Sequence, residues 1–178
     1  VAIKKVQMTP DFQLNLEGLE DAIDANTKLI WLCSPNNPSG NALHREDIEM
    51  VLNNFDGIVV IDEAYINFSR QRSFIPELVE YPNLVILQTL SKAWGLAALR
   101  VGMAFSSQAI IETLNKIKPP YNINEPSQEL ASQALDEVEQ VNEMIKIIVS
   151  ERKRLAGELE KISIVKEIFR SDANFLLV

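Results

Sequence analysis

The chain has 178 residues, 47% of them apolar, and a formal charge of −8. That is enough apolar material for a compact unit with its own core and too much for a disordered chain. The negative balance, with no basic stripe, argues against a nucleic-acid binder that works by neutralising phosphates; no apolar run reaches a membrane span, and no signal peptide is expected at the start.

From the N-terminus, Ala2 to Met8 reads as a short strand. Leu16 to Ala25 reads as a helix with Asn15 as its N-cap, because an Asn side chain can accept from the first free N–H groups. Lys28 to Cys33 is a β-rich run, ended by the turn-forming Ser34-Pro35-Asn36-Asn37-Pro38-Ser39-Gly40. Cys33 is the sole cysteine. It is expected to be a small core residue, and its solitude fits a reducing cytoplasm without disulfides. His44, the sole histidine, reads as a surface residue before the helix Arg45 to Asn53. One histidine and one cysteine give no zinc-binding set.

Gly57 to Ile61 and Leu84 to Leu87 are continuous apolar runs, as strands covered on both faces require. Pro76 to Glu80 reads as a short helix, Val101 to Phe105 as a strand and Ser107 to Lys116 as a helix. Alternating strands and helices predict an α/β fold: three layers, with a mostly parallel sheet between helices on both faces. From Pro126 to about Lys161 the pattern turns helical. Val138, Val141, Ile145, Ile148, Leu155 and Leu159 keep a three-four spacing, interrupted by Arg152, and predict one long buried helix. Ile164 to Phe169 and Phe175 to Val178 read as the first strands of another unit. The expected division is 1–135 and 136–178, the second part opening a small α+β domain. A chain that stops inside an apolar run is expected to be a piece of a longer protein.

In open α/β sheets, ligands bind beyond the carboxyl ends of the parallel strands. Three predicted strands end in polar groups: Asn36-Asn37 after Cys33, Asp62-Glu63-Ala64-Tyr65 after Ile61, and Thr89-Leu90-Ser91-Lys92 after Leu87. Adjacent parallel strands would bring these together. Lys92 suits a lysine that forms a Schiff base with a phosphorylated aldehyde. Thr89, Ser91 and Arg100 offer donors to a phosphate. A carboxylate at the edge of an apolar sheet, such as Asp62, needs a cation, and a protonated pyridine nitrogen is one. Tyr65 and Asn37 can hydrogen-bond a phenolate oxygen. Each motif alone has a plainer explanation as a turn, a helix cap or a solvated face. The three in this order do not.

The set Asn37-Pro38-Ser39-Gly40, Asp62-Glu63-Ala64-Tyr65, Thr89-Leu90-Ser91-Lys92 and Arg100 resembles the class I/II aminotransferases among the fold-type I pyridoxal-phosphate enzymes, over essentially the whole chain. The resemblance implies pyridoxal 5′-phosphate as cofactor. It casts Lys92 as the lysine that bonds to the cofactor and moves a proton between the substrate α-carbon and C4′. Asp62 would pair with the ring nitrogen, Tyr65 and Asn37 with the phenolic oxygen, and Thr89, Ser91 and Arg100 with the phosphate. It further implies a homodimer, with Tyr121 and Asn122 near the entrance or the partner.

Softer features, including Lys118-Pro119-Pro120-Tyr121-Asn122-Ile123-Asn124 and Ala173-Asn174-Phe175, are similar to the members that exchange amino groups between histidinol phosphate and 2-oxoglutarate/glutamate. Aromatic aminotransferases, the related threonine-phosphate decarboxylases and a non-catalytic relative stay open. The presence of both Lys92 and Asp62 weighs against the last. The family's glycine-containing phosphate loop, its stacking aromatic and its substrate-anchoring arginine lie outside this stretch. The segment alone is therefore expected not to turn over efficiently.

Overall fold

The computed structural model describes residues 2–178. Its centre is a four-stranded sheet in the order β1-β2-β3-β4. The strands are β1 (Leu29–Cys33), β2 (Ile58–Asp62), β3 (Leu84–Thr89) and β4 (Gly102–Ser106). β1, β2 and β3 run parallel, and β4 returns antiparallel to β3. The carboxyl ends of β1 and β2 lie level, since Cys33 is the register partner of Asp62 and Asp62 that of Leu87.

The β period of two sends Ile30, Leu32, Val59, Ile61, Leu84 and Ile86 to one face. There they form the main core with Ile48, Val51 and Leu52 of helix α2 (Arg45–Asn54) and with Phe55 and Phe74. Leu16 and Leu19 of α1 (Leu16–Ala22), with Ile75 and Leu78, pack at its margin. Helices thus cover this face. The opposite face is open along β1, where Leu29 and Trp31 are 48% and 54% exposed.

Asn15 caps α1 as predicted, its side chain accepting from Gly18 N–H at 2.9 Å. The helix ends at Ala22, three residues before the expected Ala25. Asp24 and Thr27 bond each other's backbone and side chains there, a local alternative to further helical turns. Pro76 to Glu80 is a 3-10 turn over Ile75–Val79. Ala2 to Met8 is not a strand. It has no ladder partner and is held by Lys4, which donates to Ala22 O at 2.9 Å and pairs with Asp24.

The long C-terminal helix is two helices. α3 (Gln108–Ile117) lies along β4. α4 (Glu125–Asp136) starts at Asn124, whose side chain accepts from Ser127 N–H at 2.8 Å. Glu137 (φ −97°, ψ 30°) then breaks the path, and α5 (Val138–Leu159) follows. Neither Gly nor Pro marks that break. Along α5, Ile145, Ile148 and Val149 pack against Tyr65, Phe68, Ala93 and Ala173. Arg152 interrupts the apolar stripe because its guanidinium faces inward, donating to the carbonyls of Phe68 and Ala173. Residues 164–169 and 175–178 form no strands. They meet through Phe169 N–H to Leu177 O at 3.0 Å. One such bond is not a ladder.

Candidate active site

The loop after β1 is self-closed. Gly40 N–H donates to Asn36 O at 2.8 Å, Asn36 N–H to Asn41 O at 2.9 Å, and the Asn36 side chain to Ser39 Oγ at 2.7 Å. These bonds consume Asn36 and leave Asn37 at the exposed rim. Asn37 Nδ2 lies 3.1 Å from the Tyr65 hydroxyl. Two groups separated by 28 residues, from two different strand ends, therefore share one spot, as the parallel-strand argument required.

At the end of β2, Asp62 lies on the face opposite the main core, next to Cys33 and Leu87. Ala64 N–H donates to its Oδ1 at 3.0 Å, which fixes the carboxylate direction. Asp62 is half-buried, and the ion pairs among the described residues all lie elsewhere. The Cys33 thiol is pushed above its usual range, first by burial and then by the Asp62 charge. Cys33 is thus half-buried beside the site and not a plain core residue.

β3 brings the lysine. Thr89 Oγ1 accepts from Ser91 N–H at 3.0 Å and donates to Val101 O at 3.3 Å, so it shapes the turn carrying Ser91 and Lys92. Leu90 is buried beneath the turn and Lys92 is exposed above it. Lys92 Nζ stands 5.3 Å from the centroid of the Tyr65 ring. Gly95, at φ +68°, turns the chain back, a conformation that favours glycine. The β3–β4 pairing then returns Arg100 towards this turn, because Leu90 N–H donates to Val101 O at 3.2 Å. Arg100 itself is exposed and donates to Ala97 O at 2.9 Å.

Of the seven expected site residues, Asn37, Tyr65 and Lys92 are joined directly. Asp62, Thr89 and Ser91 sit at the adjoining strand ends, and Arg100 approaches through the hairpin. Tyr121 and Asn122 are not joined to them among the described residues. Tyr121 is 94% exposed, and Asn122 accepts from Lys118 at 3.3 Å.

The structure adds residues that strand-end reasoning did not reach. Phe175 meets the Tyr65 ring edge-on at 5.3 Å, and Ala173 is fully buried beside it. Asp172 fastens this segment to the Asn37 loop: its N–H donates to Gly40 O at 2.7 Å, and its Oδ2 accepts from Ala42 N–H at 3.1 Å. Ala173-Asn174-Phe175 was recognisable as a family-like string, but its contact with Tyr65 follows from tertiary packing alone.

The donor set suits a phosphorylated pyridine aldehyde. It combines a fixed carboxylate without a cation, a paired amide and phenol, a free amine over that phenol, and a hydroxyl and guanidinium close by. An α/β sheet with a lysine and a carboxylate at neighbouring strand ends suits a lysine-dependent enzyme of a carbonyl cofactor. The chain belongs to the family Aminotransferase class I and II, whose model matches residues 1–178.

The chain is 50% identical over 178 residues to the histidinol-phosphate aminotransferase of Parabacteroides distasonis, covering 100% of this chain and 52% of that protein. It is 47% identical over 174 residues to that of Flavobacterium johnsoniae, covering 98% and 50%. The chain thus spans about half the length of the curated relatives it matches. Among solved structures it is similar to the histidinol-phosphate aminotransferase of Clostridium acetobutylicum (TM-score 0.87, 27% identity, 95% of this chain and 52% of that one). The Sinorhizobium meliloti enzyme in complex with pyridoxal-5′-phosphate matches with TM-score 0.86 and 27% identity, over 97% and 48%. An L-threonine-O-3-phosphate decarboxylase from Porphyromonas gingivalis matches with TM-score 0.74 and 26% identity, over 86% and 48%.

Proposed function

We propose that the complete polypeptide transfers an amino group between L-histidinol phosphate and 2-oxoglutarate, with pyridoxal 5′-phosphate as cofactor, in histidine biosynthesis. The observation that carries this reading is the Lys92 amine set over the Tyr65 ring, with the Asp62 carboxylate at the neighbouring strand end unpaired with a cation among the described residues. The names of the relatives at 47–50% identity support the substrate.

When bound, the cofactor supplies an aldehyde carbon and an electron-accepting ring. Asp62 would hold the protonated ring nitrogen, with its direction set by Ala64 N–H. Tyr65 and Asn37 would hold the phenolic oxygen from one side, already paired with each other. Ser91, Thr89 and Arg100 would hold the phosphate; Thr89 would do so by releasing its long bond to Val101 O. Lys92 Nζ, over the Tyr65 ring, would hold the aldehyde carbon and would serve as the base that moves the proton of the substrate α-carbon.

Cytoplasmic location and a homodimer belong to the same proposal. Exposure of Ile117 (77%) and Tyr121 (94%) around Pro119-Pro120 supports a partner contact there. The proposed division between the cofactor domain and the start of the small domain is 135/136, supported by the helix break at Glu137.

The test is spectral. The complete polypeptide with pyridoxal phosphate is expected to show a visible band that shifts with histidinol phosphate and returns with 2-oxoglutarate. Lys92→Ala is expected to lose the band while keeping its fold, since the side chain is exposed. A band that ignores histidinol phosphate, with carbon dioxide released from threonine phosphate, would replace amino transfer with decarboxylation. Absence of any band would refute both.

A further inference from the structure

Glu63 lies between Asp62 and Tyr65 in sequence but on the other side of the sheet. It is 1% exposed. A buried carboxylate is costly unless donors or cations replace its water. No cation is paired with it among the described residues, and three donors converge on it. Ser73 Oγ donates to Oε2 at 2.6 Å, Phe74 N–H to Oε1 at 2.8 Å, and Gln88 Nε2 to Oε2 at 2.9 Å. Gln88 Nε2 also reaches Ser73 Oγ at 3.3 Å, which closes the network.

The chemistry of this cage calls for an acid. Its donors include a main-chain N–H, which cannot turn into an acceptor. A carboxylate is acceptor-only and satisfies all three as they stand, whereas a glutamine that kept the Phe74 N–H bond would turn its NH₂ towards Ser73 Oγ, which can accept, and towards Gln88 Nε2, which cannot. The partners explain what the cage is for. Gln88 immediately precedes Thr89, which shapes the Lys92 turn. Glu63 immediately follows Asp62, and its own N–H donates to Leu87 O at 2.8 Å. The Glu63–Gln88 bond therefore ties the end of β2 to the end of β3 from the core side, at the point where the two strands present Asp62 and Lys92 on the site side.

Resting on the cofactor reading above, we propose that Glu63 is a positioning residue: with Gln88 it fixes the Asp62 strand end against the Lys92 strand end, and so sets the orientation of the bound cofactor. Glu77 is the internal control. It is another buried carboxylate, 7% exposed, but it pairs with Arg45 at 2.6 Å and Arg72 at 2.5 Å and bonds no group of β2 or β3.

The experiment uses the complete polypeptide and pyridoxal phosphate, and reads cofactor affinity together with the circular dichroism of the visible band. Glu63→Gln is expected to weaken affinity roughly tenfold, the scale of one buried donor left unsatisfied, and to change the shape of the dichroism. The exchanged pair Glu63→Gln with Gln88→Glu restores an amide-to-carboxylate bond and is expected to recover both. Gln88→Leu, which leaves Glu63 its other two donors, is expected to move both readouts in the same direction by less. Glu77→Gln is expected to lower the melting temperature while leaving affinity and dichroism unchanged.

Parental affinity and dichroism in Glu63→Gln would overturn the proposal. So would changes in Glu77→Gln as large as those in Glu63→Gln. If Glu63→Gln does not fold, Gln88→Leu and the exchanged pair decide the matter by the same two readouts. A parent protein with no visible band would instead sink the cofactor reading, and this inference with it.

Discussion

Two hydrophobic clusters stand among the described residues, and they serve different ends. The main cluster joins the sheet to α2 and is built from aliphatic residues that alternate along contiguous strands. The second is small: Tyr65, Phe68, Ala93 and Ala173, closed by Trp94, Ile145, Ile148, Val149 and Phe175. It draws on segments more than a hundred residues apart. The first is dry scaffold that holds the strand ends level. The second wraps a residue of the site itself, because Tyr65 belongs to it and also bonds Asn37. Both clusters bury apolar side chains, but only the second includes a residue of the candidate site.

Truncations in the two clusters test that division, and their effect on stability is the largest expected. Ile86→Ala removes a fully buried side chain from the main cluster and should cost about 2–5 kcal/mol. Phe68→Ala should cost about 3–5 kcal/mol, since Phe68 is 2% exposed. Urea unfolding reads both costs. Cofactor affinity under native conditions separates them: unchanged for Ile86→Ala, weakened for Phe68→Ala. Equal affinities in the two variants would end the distinction.

A smaller effect is expected at Gly40, the seat on which the 171–175 segment rests. Gly40 has φ +82°, and an added Cβ would lie 2.8 Å from Ser171 Oγ. Gly40→Ala combines backbone strain with a clash and should cost about 1–3 kcal/mol. Because Ser171 holds Phe175 O at 2.6 Å and Phe175 abuts Tyr65, the variant should also weaken cofactor binding. Unaltered binding after a measured loss of stability would show that the segment supports the fold and not the site.

The smallest expected effect is at Cys33, on the site face beside Asp62. Its thiol is raised by burial first and by Asp62 second, so at neutral pH it should alkylate more slowly than a free thiol. Asp62→Asn removes the second cause and should speed the reaction roughly two- to fivefold. Because the folded value lies above the unfolded one, the stability linked to this group is complete below the ordinary thiol range. It is lost as pH rises through the raised value. An unaltered alkylation rate would mean that Asp62 does not reach the thiol.

Much of the scaffold was legible in the chain. The continuous apolar run Gly57 to Ile61 reads as a strand covered on both faces, and β2 is buried on both faces over Val59 to Ile61; the Asn15 cap marks the start of α1. Three polar strand ends, with the rule that parallel strands place them together, were enough to nominate Asn37, Asp62, Tyr65 and Lys92. Ala2 to Met8 reads as a strand but is none, because no neighbouring edge pairs with its backbone. The break at Glu137 was invisible because no local breaker marks it.

What the sequence by itself determined is the class of chemistry and the polar groups that end the strands. Residue type and strand period decide which side chains sit at the ends, and local propensity decides where the elements begin. Tertiary structure alone decided which groups are free to act. The Thr89 hydroxyl is held by a backbone carbonyl, Asp62 has no cation among the described residues, and its neighbour Glu63 is enclosed by three donors. The physical reason is that satisfaction of a polar group depends on partners brought from distant parts of the chain, and two adjacent carboxylates on opposite sides of a sheet meet different partners.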